Sequence, residues 1–333
     1  MTKVFVSHPQ SRLPQYFGER ATTALRAIAD VQLNPGDADL TSQEIASIAN
    51  DCDFIIAYRQ TAGDEQLFAA MPQLAAFVRN AIDIRTVDVA AASRHGVMVT
   101  QASAGFIASV AEWTIGAMID LARGITASSE LFHAKKDTPP AMGRELRGST
   151  LGVIGYGQIG RCLCDLALAF GIRVVACDPH VRIERVGVRQ VAMDELLSES
   201  DFVVCLAAAS PETEKLIDSS AFGAMKAGAF FINASRGELV DDDALLHALD
   251  SGHIAGCALD VGRAPDQMPL ARVASHPRVI ATPHIGGLTP AAVEHQAMEN
   301  VAQITDMIAG RVPKGAVNAS DAARWKARFV DGR

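Results

Sequence analysis

Short apolar runs alternate with longer segments of helical spacing along most of the chain. The runs KVFVS, DFIIAY, AAFVR, LGVIG, RVVAC, DFVVCLA, AFFINA, CALDV and RVIATP are rich in Val, Ile, Phe and Ala, and runs of this length and composition predict buried strands. Most are followed by a stretch whose apolar residues recur at helical spacing, which is the pattern of βαβ units in parallel sheets. From Ser109 to Arg123, SVAEWTIGAMIDLAR keeps that spacing over about four turns, enough for a helix that bridges two lobes. The polar, Pro-containing HAKKDTPPAMGRELRGS that follows reads as a surface loop. A domain boundary is therefore expected near Thr100, before the long helix.

Composition narrows the class. A chain of 333 residues can hold two domains, each with its own core. Its 49% hydrophobic and 20% charged residues fit a soluble globular α/β protein. A net charge of -8 without clustered Lys and Arg excludes a surface that tracks nucleic-acid phosphates, leaving small molecules or proteins as partners. MTKVFVSHPQ has no basic region leading a long apolar run, and no apolar segment approaches the ~18 residues that span a membrane. A cytoplasmic protein without a membrane partner is expected. Cys52, Cys162, Cys164, Cys177, Cys205 and Cys257 lie in apolar contexts without metal-ligand spacing, so they are expected to be reduced core residues and no metal site is expected.

The strongest motif is LGVIGYGQIGRCLCDLALAFGIRVVACDP. Gly155, Gly157 and Gly160 give the G-x-G-x-x-G spacing between an apolar strand and a helix. In that setting the first glycine allows a tight turn, the second admits a pyrophosphate to the backbone, and the third lets helix and strand pack closely. The helix N-terminus supplies amides and partial positive charge for the phosphates. A second strand ends at Asp178, at the distance of about 20 residues expected for an acid on the adenosine ribose. A carboxylate there repels a 2′-phosphate, so NAD is favoured over NADP, with Arg182 leaving some tolerance of NADP.

From TVDVAAASRHGVMVTQASAGFIASVAEWTIG through LRGSTLGVIGYGQIG, SPETEKLI, INASRGELVDDDALLHAL and ALDV to TPHIGG, the chain resembles the D-isomer-specific 2-hydroxyacid dehydrogenases. The resemblance implies an α/β fold of two Rossmann-like doubly wound domains. An NAD-binding domain, residues 101–287, is then inserted into a discontinuous catalytic domain, residues 1–100 and 288–333, with the active site in the cleft. It also implies a homodimer through the NAD domain and a small 2-keto or 2-hydroxy acid substrate, with hydride transfer between nicotinamide C4 and substrate C2.

Reducing a 2-keto acid requires an anchor for the carboxylate, polarisation of the keto oxygen and a proton donor near neutral pH. Arg236, just past the strand AFFINA, suits the first two tasks because its planar fork stays charged at every relevant pH. His284, after the strand RVIAT and between a proline and two glycines, suits the third, since imidazole titrates near neutrality. The remaining histidines are read as structural.

In the family that this chain resembles, a Glu completes the set by hydrogen bonding to the His, in a pattern like DVFxxEP. Here that position is Pro265 in ALDVGRAPDQMP. Asp266 is the adjacent carboxylate and the expected partner of His284. Gln267 is the alternative, as in the related formate dehydrogenases, and a structural turn without a partner is the third reading.

The resemblance also assigns Asp260 to the nicotinamide carboxamide, Gln158 and Ile159 to the pyrophosphate, and Ala234 to the nicotinamide border. Asn80, Ala81 and Ile82 in VRNAIDI stand where the family carries a glycine-bearing substrate loop, with Arg59 on a neighbouring loop. Trp113 and the tail RWKARFV depart from the family, and core packing is the favoured reading of both. Two other functions stay open: a formate- or phosphite-type dehydrogenase of the same fold, and a non-catalytic NAD-sensing protein like the corepressors that resemble this fold. Retention of both Arg236 and His284 favours catalysis.

Overall fold

Each of the apolar runs forms a strand, and every strand pairing within the two sheets is parallel. The computed structural model describes residues 1–332, with Asp266 described by its backbone alone. The chain divides into two units, Met1–Gly105 with Pro290–Arg333, and Phe106–Thr289.

The first unit holds β1 (Lys3–Val6), β2 (Asp30–Leu33), β3 (Phe54–Ala57), β4 (Ala76–Arg79) and β5 (Met98–Gln101), in the order β2-β1-β3-β4-β5. Strand periodicity sends Val4, Val6, Phe54 and Ile56 to one face and Phe5, Ile55 and Phe77 to the other, and both faces are covered. That is why the central strands read as continuous apolar runs. The C-terminal tail belongs to this core. Trp325 is 2% exposed and gives its Nε1 to Met307 O at 3.1 Å, while Phe329 stacks on Phe54 at 5.1 Å between centroids.

The second unit holds β6 (Thr150–Ile154), β7 (Arg173–Cys177), β8 (Val188–Gln190), β9 (Phe202–Cys205), β10 (Ala229–Asn233), β11 (Ile254–Leu259) and β12 (Val279–Ala281). Their order, β12-β11-β10-β9-β6-β7-β8, reverses between β6 and β9, and open parallel sheets bind ligands at such a switch point, beyond the carboxyl ends of the strands. The long helix runs Ile107–Arg123, slightly longer than the spacing predicts, and ends at Gly124 in the left-handed conformation with φ 62°. It packs with the helix Gln158–Ala169 on one face of the sheet, around Met118, Leu163, Val153 and Phe202. Leu245, Leu249 and Phe222 cover the opposite face.

β2, β5 and β8 are not among the predicted runs. All three are edge strands. β2, Asp-Val-Gln-Leu, has no buried residue, and β8 has only three residues. The six cysteines are free, and burial pushes the thiols of Cys52, Cys164 and Cys205 up to about 12. Among the described residues no helix is long and apolar enough to cross a membrane.

Candidate active site

The three glycines after β6 differ in what surrounds them. Gly155 has φ +96°, and a Cβ there would lie 2.7 Å from the carbonyl of Leu206, which leaves β9 beside it. On Gly160 a Cβ would stand 2.3 Å from Gly155 O. A Cβ on Gly157 would meet nothing within 4 Å. The outer two glycines are thus forced by neighbouring backbone, whereas the middle one faces open space at the head of the helix. Gln158 and Ile159 begin that helix, and their N–H groups have no partner among the described residues.

Asp178, one strand over, closes this turn. Its Oδ2 accepts from Tyr156 N at 2.7 Å, and its Oδ1 accepts from His180 N at 2.8 Å and Val181 N at 3.1 Å. Burial pushes the carboxyl up, but these three amides outweigh it and hold the group below its ordinary value. Some acceptor capacity remains for a ribose hydroxyl. An open cradle at Gly157, two unpaired amides and a charged carboxylate fit a dinucleotide without a 2′-phosphate. Arg182 pairs instead with Glu184, at 3.5 Å.

Arg236 is set by the residue that ends β10. Asn233, 1% exposed, accepts from Ser235 N at 3.0 Å and donates its Nδ2 to Arg236 O at 2.8 Å. Ser235 Oγ gives its proton to Ala207 O at 2.6 Å, tying the turn to the end of β9. Ala234 and Arg236 are half-buried on this turn, and Arg236 Nη1 donates to Ser235 O at 2.7 Å. The sequence reading passed over Asn233. An Asn followed two residues on by Ser just past a strand is the available signal, because Asn there closes an Asx turn.

His284 lies in a loop anchored by Asp260. Asp260 follows β11, is 3% exposed, and accepts from Thr282 Oγ1 at 2.6 Å, Ile285 N at 2.8 Å and Gly286 N at 2.7 Å. These donors flank His284, which adopts φ +55°, a left-handed conformation costing on the order of 1–2 kcal/mol for a residue with a side chain. The carboxylate over-determines the loop and so offsets that cost. Its lone pairs are largely committed here, so a nicotinamide amide would find only residual acceptor capacity on Asp260. Trp113 is half-buried against the core of this unit, 3.6 Å from where a Cβ on Gly286 would stand.

Arg236, Asp260 and His284 therefore come off the same end of the adjacent strands β10, β11 and β12. The loop after Asp260 folds back on itself, with Gly262 N donating to Gln267 O at 2.7 Å and Ala264 N to Met268 O at 2.9 Å. Arg263 ties it to the Arg236 turn, donating Nη2 to Glu238 O at 2.9 Å and to Glu214 Oε1 at 2.7 Å. Gln267 has φ +58°, and its Oε1 is buried without a partner among the described residues. The side chain of Asp266 lies outside the described residues, and so does its expected bond to His284.

In the first unit, Arg59 and Ala81 are half-buried and Ile82 is 38% exposed. The N–H groups of Ala81 and Ile82 make no hydrogen bond among the described residues. Asn80 is 8% exposed, and its Nδ2 is turned inward to Tyr16 O at 2.8 Å and His8 Nε2 at 3.2 Å. The loop thus offers backbone amides, whereas the Asn80 side chain braces it from below.

Residues 115–286 match the family model described as the D-isomer specific 2-hydroxyacid dehydrogenase, NAD binding domain. D-3-phosphoglycerate dehydrogenase of Synechocystis sp. is 33% identical over 298 residues, which are 88% of this chain and 53% of the relative. The enzyme of that name from Rattus norvegicus is 35% identical over 285 residues, 84% of this chain and 53% of the relative. The chain thus spans about half the length of these curated relatives. A solved structure from Polaromonas sp. JS6 66, described as of the D-isomer specific 2-hydroxyacid dehydrogenase type, superposes with a TM-score of 0.88 at 25% identity, covering 96% of this chain and 100% of that one. D-lactate dehydrogenase from Lactobacillus jensenii, solved with NAD+, shares the fold with a TM-score of 0.81 at 24% identity, covering 95% and 100%.

Proposed function

The chain belongs to the D-isomer-specific 2-hydroxyacid dehydrogenase family, and on that premise we propose that it is an NAD-dependent oxidoreductase interconverting a 2-keto acid and its D-2-hydroxy acid. The observation that carries this reading is that Arg236 and His284 lie beyond the same end of β10 and β12, on either side of β11 and its Asp260, with His284 held in a strained conformation by Asp260.

Gly155, Gly157, Gly160 and Asp178 would hold the cofactor, with Gln158 and Ile159 donating to its pyrophosphate and Ala234 bordering its nicotinamide. NAD bound there supplies the hydride chemistry at C2 of the substrate. Arg236 anchors the carboxylate and polarises the keto oxygen, so that charge developing on that oxygen meets a fixed cation. His284 delivers the proton to the same oxygen in reduction and takes it back in oxidation, a role worth about 10² to 10⁴ in rate. Asp266 is the proposed partner that orients the imidazole. Arg59 and the amides of Ala81 and Ile82 are the proposed substrate contacts of the first unit, with Asn80 supporting them.

We further propose a cytoplasmic homodimer formed through the NAD-binding unit. The helix Ile125–His133 buries none of its residues, and Ile125, Phe132 and Met142 are 54%, 68% and 100% exposed, an apolar surface that calls for a cover. Six free thiols suit a reducing compartment.

The test is NADH oxidation against a panel of 2-keto acids (glyoxylate, hydroxypyruvate, pyruvate and bulkier members), together with NAD reduction by D-lactate and 3-phosphoglycerate. Turnover that is lost in Arg236→Gln and His284→Gln supports the reading. Tight NADH binding with no turnover of any acid would refute it.

A further inference from the structure

The sheet of the first unit has a switch point of its own, between β1 and β3, so the carboxyl ends of these strands form its ligand-binding edge. His8 follows β1, Tyr58 and Arg59 follow β3, and Arg79 ends β4 beside them. Arg79 is 3% exposed. Its guanidinium is spread over three backbone carbonyls: Tyr58 O, Arg59 O at 2.5 Å and Asp83 O at 3.0 Å. Two of these belong to the loop after β3 and one to the loop after β4. One side chain therefore locks together the two loops that carry Arg59, Ala81 and Ile82.

The bonding cancels the charge of Arg79 only in part. Its guanidinium is bonded to carbonyls, and the carboxylate that supports it electrostatically, Asp83, is shared with Arg85 at 2.8 Å. Burial lowers the guanidinium to about 10, which still leaves it cationic at neutral pH. A buried cation bonded mainly to dipoles is expensive to keep. Its bonds to both loops at a ligand edge, one of which carries the unpaired amides of Ala81 and Ile82, supply a use for the charge.

We propose that Arg79 is a positioning residue for substrate recognition, which locks the loops after β3 and β4 together and sets a buried positive charge behind the amides of Ala81 and Ile82 so that this edge accepts an anionic group. The inference rests on the keto acid reading for the identity of that anion. It differs from that reading in naming a residue that never touches substrate and in making the field of the first unit, not a contact, a source of anion affinity.

The experiment compares wild type, Arg79→Lys and Arg79→Met for kcat and KM on the best keto acid of the panel. NADH affinity, oxalate affinity by calorimetry and thermal midpoint are measured alongside. Loss of the charge should raise KM about tenfold in Arg79→Met with kcat and NADH affinity changing less than about threefold, because the cation acts on anion binding and not on the reacting atoms. Arg79→Lys, which keeps the charge but not the three-way tie, should fall between. The salt dependence of kcat/KM should flatten in Arg79→Met. A KM within about twofold of wild type in Arg79→Met, or a fall in kcat alone, would overturn the proposal. If Arg79→Met does not fold, Arg79→Lys decides: raised KM with retained kcat supports the inference, and wild-type kinetics refute it. If wild type turns over no keto acid, the functional reading fails on its own. Oxalate affinity then still tests Arg79, with equal binding by wild type and variant counting against it.

Discussion

Gly286 donates its amide to Asp260 Oδ2 at 2.7 Å, and a Cβ on Gly286 would stand 2.7 Å from that same oxygen. The bond exists at this length because the residue has no side chain. Gly286→Ala should therefore push the loop off its anchor and release His284 from φ +55°. Asp260→Ala should do the same by removing the acceptor of three bonds. Both variants are expected to lower kcat about 100-fold, the value of a well-placed acid–base group, while NADH affinity changes far less. Steady-state kinetics with NADH titration check this, and a tenfold or greater loss of NADH affinity in Asp260→Ala would instead make Asp260 chiefly a cofactor contact.

A second close approach joins the Arg236 turn to the loop carrying Asp266. A Cβ on Gly237 would lie 2.2 Å from the carbonyl carbon of Gly262, a contact with rigid backbone that no rotamer can relieve. Gly237→Ala must separate the turn from the loop, displacing Arg236 by a fraction of an ångström or more. The expected result is a KM for keto acid raised about tenfold or more together with a lower kcat, since Arg236 is proposed both to bind and to polarise. Arg263→Met, which removes a more distant tie between the same segments, should give a milder form of the same change.

What the sequence revealed and what it hid follow one physical line. Central strands covered on both faces, such as Phe54–Ala57 and Phe202–Cys205, must be apolar throughout and stand out as runs. Edge strands carry no such demand, so Asp30–Leu33 resembles a loop. Arg236 and His284 are legible because each lies just past an apolar run in a distinctive setting. The residues that hold them are less visible. Asn233 and Arg79 bond to backbone carbonyls and amides brought close by the fold, and such partners leave no spacing in the sequence. Asp260 was visible as a residue of interest, but its engagement with three donors around His284 depends on the register of β11 with β12.

Asp178 braces the glycine turn and is the proposed ribose contact, and exchanging it should test both roles. Its carboxylate accepts from Tyr156, His180 and Val181, so it braces the glycine turn before any ribose is bound. Asp178→Ser should weaken NADH binding about tenfold through the loosened turn, with NADPH gaining less than NADH loses. Equal or better NADPH binding would show that the carboxylate acts mainly by repelling phosphate. The carboxyl is held below its ordinary value, so its contribution to stability is present above about pH 3.9 and lost as pH falls through the lower folded value. The stability gap between wild type and variant should accordingly close in strong acid.

His8 gives the opposite pH signature. It is 1% exposed, packed between the rings of Phe17 and Tyr58, and its Nε2 meets Asn80 Nδ2 at 3.2 Å. Burial, followed by the charge of Arg79, holds its pKa down at about 3. The unfolded chain takes up a proton below about pH 6.5 that the folded chain refuses, so stability is full above that pH and falls as pH drops toward 3. At pH 5 this single group costs about 2 kcal/mol relative to neutral pH. His8→Gln should remove that component, so denaturant titrations of wild type and variant should converge or cross between pH 7.5 and 5, with the variant losing less. Parallel losses would mean that folded His8 accepts its proton readily. Because Arg79 contributes to the depression, Arg79→Met should raise the folded pKa of His8. The acid loss should then still begin at about pH 6.5 but level off at a higher pH and be smaller in total than in wild type, linking the neutral imidazole to the same buried cation that is assigned to substrate recognition.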